Sequence, residues 1–142
     1  MELKIFIDKT HNEEILVYAH ENNHLINEIA KLVNEDSTSI IGYSENSAEK
    51  LSLVDVACFI TENNKTYAIC NRRLQVKMRL YQLESILGDD FIKINQSCIA
   101  NIRQIEKVEA TFSGSLSVLF KNGYRDYISR RNLKSVKERL GI

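Results

Sequence analysis

The feature that most constrains the fold is a succession of short β-type runs, separated by polar turns, that fills the chain beyond Ser47. Residues 74–78 alternate between apolar and polar side chains, as in a half-buried strand. The pair Asn122-Gly123 lies between two further runs and is typical of a β-hairpin turn, with a loop that can exceed two residues. These patterns predict a mainly β part.

Two helices are expected within this part. Leu80, Leu83 and Leu87 recur at helical spacing, which predicts a helix over 79–87 that Gly88 closes at the C′ position. A last helix is expected to open at Ser129 or Arg130 and to run through Leu140. The predicted strands cover residues 50–53, 56–61, 66–70, 74–78, 91–94, 102–111, 115–120 and 124–128.

The first 44 residues have a different pattern. Residues 3–7 and 15–20 are β-type, residues 22–35 have helical periodicity behind Asn22 or Asn23 as N-cap, and residues 38–43 are β-type again. We therefore expect a small acidic strand-strand-helix-strand segment at 1–44, too small to be stable alone and packed on a second domain at 45–142.

Composition excludes several classes of protein. With 142 residues, 44% hydrophobic and 27% charged, the chain suits one globular domain, or one with a short appendage, and not a collagen, a disordered tail or a disulfide scaffold. Cys58, Cys70 and Cys98 are odd in number and widely spaced, so we expect reduced core residues. The chain lacks a membrane-length apolar run, and its N-terminus does not resemble a signal peptide, which predicts a cytoplasmic protein.

Sequence motifs of catalysis are missing. The chain has no Gly-rich phosphate loop, no Gly-x-Ser-x-Gly and no His-Glu-x-x-His, and no histidine follows His24. Histidine is the commonest general base, so we expect no enzyme activity, no small-molecule substrate, no cofactor and no metal site.

The formal charge of zero is a cancellation. Residues 1–50 carry 4 lysines and 10 acidic residues, a net charge of −6, and residues 51–142 carry 15 basic and 9 acidic residues, a net charge of +6. This asymmetry suits an acidic segment joined to a part that binds a polyanion, or a chance imbalance of two solvated surfaces.

The basic residues of the second part fall at turns and element ends. Arg130 and Arg131, at the predicted start of the last helix, oppose the helix dipole at a cost of about a few tenths of a kcal/mol. The pair therefore marks an anion site or a tolerated surface cost. Residues 95–97, Asn-Gln-Ser, offer amides that can bind adenine and a hydroxyl that can bind phosphate, although ordinary polar turns contain the same types.

A set of motifs in fixed order resembles the LytTR DNA-binding domain. It comprises Phe91-Ile-Lys-Ile-Asn-Gln-Ser-Cys-Ile-Ala-Asn-Ile-Arg-Gln-Ile105, then Asn122-Gly123, then Ile128-Ser-Arg-Arg-Asn-Leu-Lys134. With the helix over 80–87 and the strand over 56–61, the likeness covers about residues 45–142. It implies an α+β, mainly β fold: an elongated multi-sheet β module with two helices that inserts loops into successive major grooves at promoter direct repeats.

The resemblance also implies which residues contact DNA, and it marks two departures. Asn95-Gln96 stands where members often have a basic residue or His followed by Arg or Asn, which implies an altered base preference, and the 62–66 turn is less basic than in many members. The implied DNA-binding residues are Lys65, Thr66, Lys93, Asn95, Gln96, Ser97, Asn101, Arg130 and Arg131.

The same resemblance implies a stand-alone bacterial regulator. The residues before the module cannot hold a phosphorylatable receiver domain, and some short members are restrained by a small membrane protein. The acidic segment is expected to dimerise the module on DNA or to compete for its basic surface. The alternative is a protein-interaction or self-association module whose DNA contact is incidental.

Overall fold

The computed structural model describes residues 1–12, 14–35 and 39–142, and the chain divides into two compact units, Met1–Ser37 and Thr38–Ile142. In the first unit, helix α1 spans His24–Glu35, and Asn23 Oδ1 accepts a hydrogen bond from Ile26 N at 3.0 Å. The predicted helix and its asparagine cap are confirmed.

The two predicted strands at 3–7 and 15–20 are wrong. Residues 1–12 and 14–23 contain no strand, although their apolar residues alternate. An isolated strand pair is marginally stable in water, and periodicity alone supplies no third strand to complete a sheet.

The described part of the second unit, residues 39–142, contains ten strands in two antiparallel sheets, two helices, α2 and α3, and two 3₁₀ turns at Leu53–Asp55 and Ile102–Gln104. Sheet A has the order β2-β1-β5-β4-β3-β7-β6, and sheet B has the order β10-β9-β8. The bounds are β1 Ile41–Tyr43, β2 Ala48–Lys50, β3 Cys58–Glu62, β4 Lys65–Ile69, β5 Arg73–Val76, α2 Leu80–Ile86, β6 Phe91–Asn95, β7 Cys98–Asn101, β8 Ile105–Ala110, β9 Leu116–Phe120, β10 Arg125–Ile128 and α3 Leu133–Leu140. The expected α+β, mainly β class with two helices in this part is confirmed.

Strand β3 lies between β4 and β7 inside sheet A and is buried on both faces. Cys58 and Ile60 belong to a core shared with sheet B and α3, whereas Phe59 points to a second core shared with α2. Burying the sheet between two layers removes most of this apolar surface from water, which is the main stabilising contribution to such a fold.

Strand β7 was not predicted from the sequence. Cys98 and Ala100 face the first core and Ile99 faces the second, so the strand has no polar face and shows no alternation. Short apolar runs of this kind carry no periodic signal.

Several boundaries differ from expectation. The predicted strand at 50–53 is replaced by β2 and a 3₁₀ turn, and β1 pairs with both β2 and β5, so it belongs to sheet A. Helix α2 ends at Ile86, its C-cap residue Leu87 is extended (φ −72°, ψ 144°), and Gly88 is not a left-handed cap. The loop between β9 and β10 spans residues 121–124, so it exceeds two residues as expected, and Gly123 has φ 90°.

Candidate nucleic-acid interface

The hairpin between β3 and β4 places one lysine directly after its two-residue loop, at the start of β4. Asn63 and Asn64 have φ of 53° and 64°, the backbone of a two-residue type I′ turn, which asparagine tolerates better than most residues. Lys65 follows and is exposed. Thr66 is only 4% exposed and pairs with Thr61 in the strand ladder, so the expected DNA contact by Thr66 does not fit its burial.

The turn between β6 and β7 exposes two polar side chains and buries a third. Gln96 and Ser97 face solvent, whereas Asn95 is 1% exposed. The Asn95 amide nitrogen donates to Asp126 Oδ1 at 2.9 Å and to the Tyr127 carbonyl at 2.8 Å, and its oxygen accepts from Ser97 N at 2.8 Å. Both amide hydrogens are used inside the protein, so this conformation leaves Asn95 no donor for a base.

The junction between β10 and α3 carries the two adjacent arginines. Arg130 and Arg131 lie in a turn, and α3 begins at Leu133 behind Asn132. The expectation that the arginines open the helix is therefore wrong. The main-chain N–H of Asn132 donates to the Ser129 carbonyl at 3.1 Å, which closes a tight turn that leaves both arginine side chains exposed.

Main-chain hydrogen bonds bring these three loops to one end of sheet A. Thr61 N donates to the Ser97 carbonyl at 2.9 Å, which joins the end of β3 to the β6–β7 turn. Ser129 N donates to the Ile94 carbonyl at 2.9 Å, which joins the arginine turn to the end of β6. We call the exposed residues Lys65, Gln96, Ser97, Arg130 and Arg131 the loop face.

The cations of the loop face differ from four arginines elsewhere in the unit, which pair with acidic side chains. Arg103 contacts Asp90 at 3.1 Å and Arg125 contacts Glu109 at 2.6 Å, and Arg72 and Arg73 also pair with glutamates. Within residues 1–12, 14–35 and 39–142, no acidic group lies within ion-pair distance of Lys65, Arg130 or Arg131. These three charges are available to an external anion.

Two further basic residues lie near or beside this face. Lys93 is half-buried on β6, two residues before the turn. Arg79 was not predicted: its Nη1 donates to the Asn64 carbonyl at 3.5 Å, so its guanidinium reaches the β3–β4 turn. Sequence reasoning could have found Arg79 only from its position between a strand and a helix.

Asn101 lies at the opposite end of sheet A, where β7 ends against Phe91. It is 1% exposed; its amide nitrogen donates to the carbonyls of Leu53 at 3.2 Å and Val56 at 2.9 Å, and its oxygen accepts from Arg103 N at 3.0 Å. The expected DNA contact by Asn101 therefore fits neither its place nor its burial.

The cysteines are free, as expected, with Cys58 and Cys98 buried and Cys70 half-buried. A hydrogen bond with the Cys58 thiol and burial together raise the pKa of Cys98 well above its usual range. Among the described residues, no cluster of three or more His, Cys, Asp or Glu side chains could hold a metal ion, and no helix has the length and hydropathy to cross a membrane.

Comparisons with known proteins found matches to both the sequence and the fold of this chain. The family model of the LytTr DNA-binding domain matches residues 46–141. Two proteins of Staphylococcus aureus, from strains NCTC 8325 and MSSA476, are each 34% identical to this chain over 100% of its length and 99% of theirs, and each is named an uncharacterized HTH-type transcriptional regulator.

The fold has a solved counterpart. The structure of the LytTr DNA-binding domain of a putative methyl-accepting/DNA response regulator from Bacillus cereus superposes with a TM-score of 0.68 at 20% identity, covering 74% of this chain and 99% of that one. The segment that the family model matches contains all three loops, sheet B and six of the seven strands of sheet A. The chain belongs to the LytTR DNA-binding domain family.

Proposed function

We propose that this chain is a transcriptional regulator that binds double-stranded DNA sequence-specifically through its loop face. The observation that carries the proposal is the meeting of three separate loops at one end of sheet A, with three exposed cations that have no acidic partner among the described residues. Cations held at fixed positions neutralise DNA phosphates, and guanidinium and amide groups read base edges.

Loops, and not a helix, are the reading elements in this proposal. The relatives' printed names refer to a helix-turn-helix, yet in the second unit α2 and α3 are separated by five strands. Helix α3 buries Val136 in the first core and directs one side inward. The exposed side chains of the loop face lie outside both helices.

Each exposed residue has a role that suits its chemistry. Arg131 contacts a guanine edge or a phosphate in one major groove, and Arg130 contacts the backbone beside it. Gln96 reads an adenine in a second groove, while Lys65, Lys93 and Ser97 contact phosphates. Contacts in successive grooves suit direct repeats about one helical turn apart.

Selection from a random-sequence duplex pool by the full chain tests this function. We expect enrichment of a repeated motif, a preference of at least ~10³ over a shuffled duplex, and footprints in two successive major grooves. No enrichment, or equal affinity for selected and shuffled duplexes, would contradict sequence-specific binding and favour the protein-interaction alternative.

One observation favours self-association as an added role of the first unit. Leu32 of α1 is 67% exposed and Leu25 and Val33 are about half exposed, so their own unit does not cover them. We propose that this face pairs with a second copy of the chain on DNA. Leu32→Lys in the full chain should shift the sedimentation of a dimer to that of a monomer, and an unchanged oligomeric state contradicts the pairing. A restraining membrane protein remains a prediction from the family resemblance alone.

A further inference from the structure

Asn95, which is buried, and Asp126, which is half-buried, form a polar contact between the two sheets, directly behind the loop face. Asn95 ends β6 of sheet A, and Asp126 lies 31 residues later in β10 of sheet B. The side-chain nitrogen of Asn95 donates the 2.9 Å hydrogen bond to Asp126, and it donates a second hydrogen bond to the Tyr127 carbonyl. Two residues beyond Tyr127 the arginine turn begins, so the contact fixes the strand that leads into Arg130 and Arg131.

The same asparagine also fixes the neighbouring turn. Its oxygen accepts from the main-chain N–H of Ser97, so the conformation of the Gln96-Ser97 turn depends on the Asn95 side chain. A single buried amide therefore holds two loops, one in each sheet. Because its hydrogen bonds are made within the protein, Asn95 would act on DNA binding through those loops and not by contact.

A β-bulge explains why this side chain points inward. The register of β6 and β7 shifts between Lys93 and Asn95, so Ile94 and Asn95 are both buried, whereas strict alternation would turn one of them outward. The bulge directs the Asn95 amide toward sheet B. Bulges next to functional sites commonly re-aim a side chain in this way.

Asp126 is an acidic residue close to the loop face, where its negative charge would repel DNA phosphates. Its Oδ1 also accepts from its own neighbour Tyr127 N at 2.8 Å, and its Oδ2 accepts from the Tyr124 hydroxyl at 3.4 Å. Burial raises the pKa of Tyr124, and the Asp126 carboxylate adds to the rise, so the hydroxyl stays protonated as a donor. The carboxylate is thus surrounded by donors that hold it in place.

We propose that Asn95 and Asp126 are positioning residues that set the spacing between the Gln96-Ser97 turn and the Arg130-Arg131 turn, and so determine sequence specificity without touching DNA. This inference rests on the proposed function. If Asp126 acted only as a negative charge, it would repel DNA, and its removal would strengthen binding to every duplex. If Asp126 is a positioning residue, its removal weakens specific binding alone.

The test measures the affinity of the full chain for the duplex selected by the wild type and for a shuffled duplex of equal composition. Asn95→Ala and Asp126→Ala should each lower the specific-to-shuffled ratio by about tenfold or more. Their combination should cost no more than the larger single loss, since both variants break one link. Asp126→Asn retains an acceptor oxygen and should keep most of the ratio.

A second measurement does not depend on DNA. In the free chain, amide hydrogen exchange at Ser97 and Ser129 should accelerate in both alanine variants and stay slow in Asp126→Asn. If the two residues only stabilise the fold, the alanine variants will unfold at a lower temperature but keep the wild-type ratio of specific to shuffled affinity below that temperature. That result overturns the inference. Stronger binding of both duplexes by Asp126→Ala overturns it as well. If the wild type selects no duplex, the proposed function fails and the inference fails with it; if the wild type selects one and the variants match it, only the inference fails.

Discussion

The main-chain N–H of Ser129 donates a 2.9 Å hydrogen bond to the carbonyl of Ile94, and this bond joins two loops that are far apart in the sequence. Ile94 is fully buried one residue before Asn95, and Ser129 directly precedes the paired arginines. The exposed guanidinium groups are therefore attached to a rigid part of the core. Rigid support of this kind lowers the conformational entropy lost on binding.

Arg131→Ala should weaken binding of the selected duplex by ~1 to 3 kcal/mol if the guanidinium binds a guanine edge. If it binds a phosphate instead, affinity for all duplexes should fall together, and the slope of log affinity against log salt should flatten by about one. Fluorescence anisotropy over a range of salt concentrations distinguishes the two. Arg103→Ala is the matched control, because Arg103 lies at the other end of sheet A beside Asp90. Equal binding by Arg131→Ala and wild type would remove Arg131 from the interface.

Asn101→Ala should lower the free energy of unfolding by about 1 to 3 kcal/mol, because the carbonyls of Leu53 and Val56 lose their donor and the bond to Val56 is buried. The ratio of its affinities for the selected and the shuffled duplex should not change, since the side chain lies far from the loop face. Urea denaturation gives the first quantity. Asn122→Ala is the control, since this exposed amide donates to the Cys70 carbonyl at 2.9 Å. Water can replace the lost hydrogen bond there, so the loss of stability should be smaller. A fall in the DNA ratio for Asn101→Ala would restore the direct contact that the sequence implied.

Asn64→Ala should destabilise the chain by about 1 kcal/mol, because alanine pays the full cost of the left-handed backbone at φ 64°. Asn64→Gly should be neutral or stabilising, since Asn-Gly is the preferred pair for a type I′ turn. Midpoints of urea unfolding for the three proteins should therefore rank glycine at or above asparagine, with alanine lowest. An alanine variant as stable as the wild type would mean that the turn adopts another conformation in solution.

The thiols should react in a fixed order. Burial raises the pKa of Cys70, with Glu49 adding to the rise, and the pKa of Cys98 is raised further. At about pH 8, iodoacetamide should modify Cys70 slowly and leave Cys98 unmodified in the folded chain, whereas both should react rapidly in concentrated urea. Mass spectrometry of the digested protein gives the sites. Rapid modification of Cys98 in the folded chain would contradict its burial.

The same shifts predict how stability depends on pH. A thiol whose folded pKa is raised contributes its full stabilisation below the pKa of the unfolded chain, about 8.5, and loses it as the pH rises toward the folded value. The free energy of unfolding should thus decline above about pH 8.5. Cys98→Ala should show a shallower decline, and an identical decline would assign the effect to other groups.

Local pattern determined much of this protein. Alternation over 74–78 predicted β5, helical spacing after Asn23 predicted α1, and basic residues between predicted elements marked the loops that carry Lys65, Arg130 and Arg131. Each of these signals depends on neighbours within a few residues, which is why one sequence suffices to find it. The motifs in fixed order then led to the family.

Only the tertiary structure decided which polar residues face outward. Asn95, Gln96 and Ser97 look equivalent in the sequence, but a bulge turns Asn95 into the protein, toward an acid 31 residues away. Strand β7 is buried on both faces, so its sequence shows no alternation and did not predict a strand. Residues 3–7 do alternate, yet they form no strand in the structure. The physical reason is common to all three cases: burial and hydrogen-bond partners are supplied by distant segments, and a local pattern contains no information about which segment will supply them.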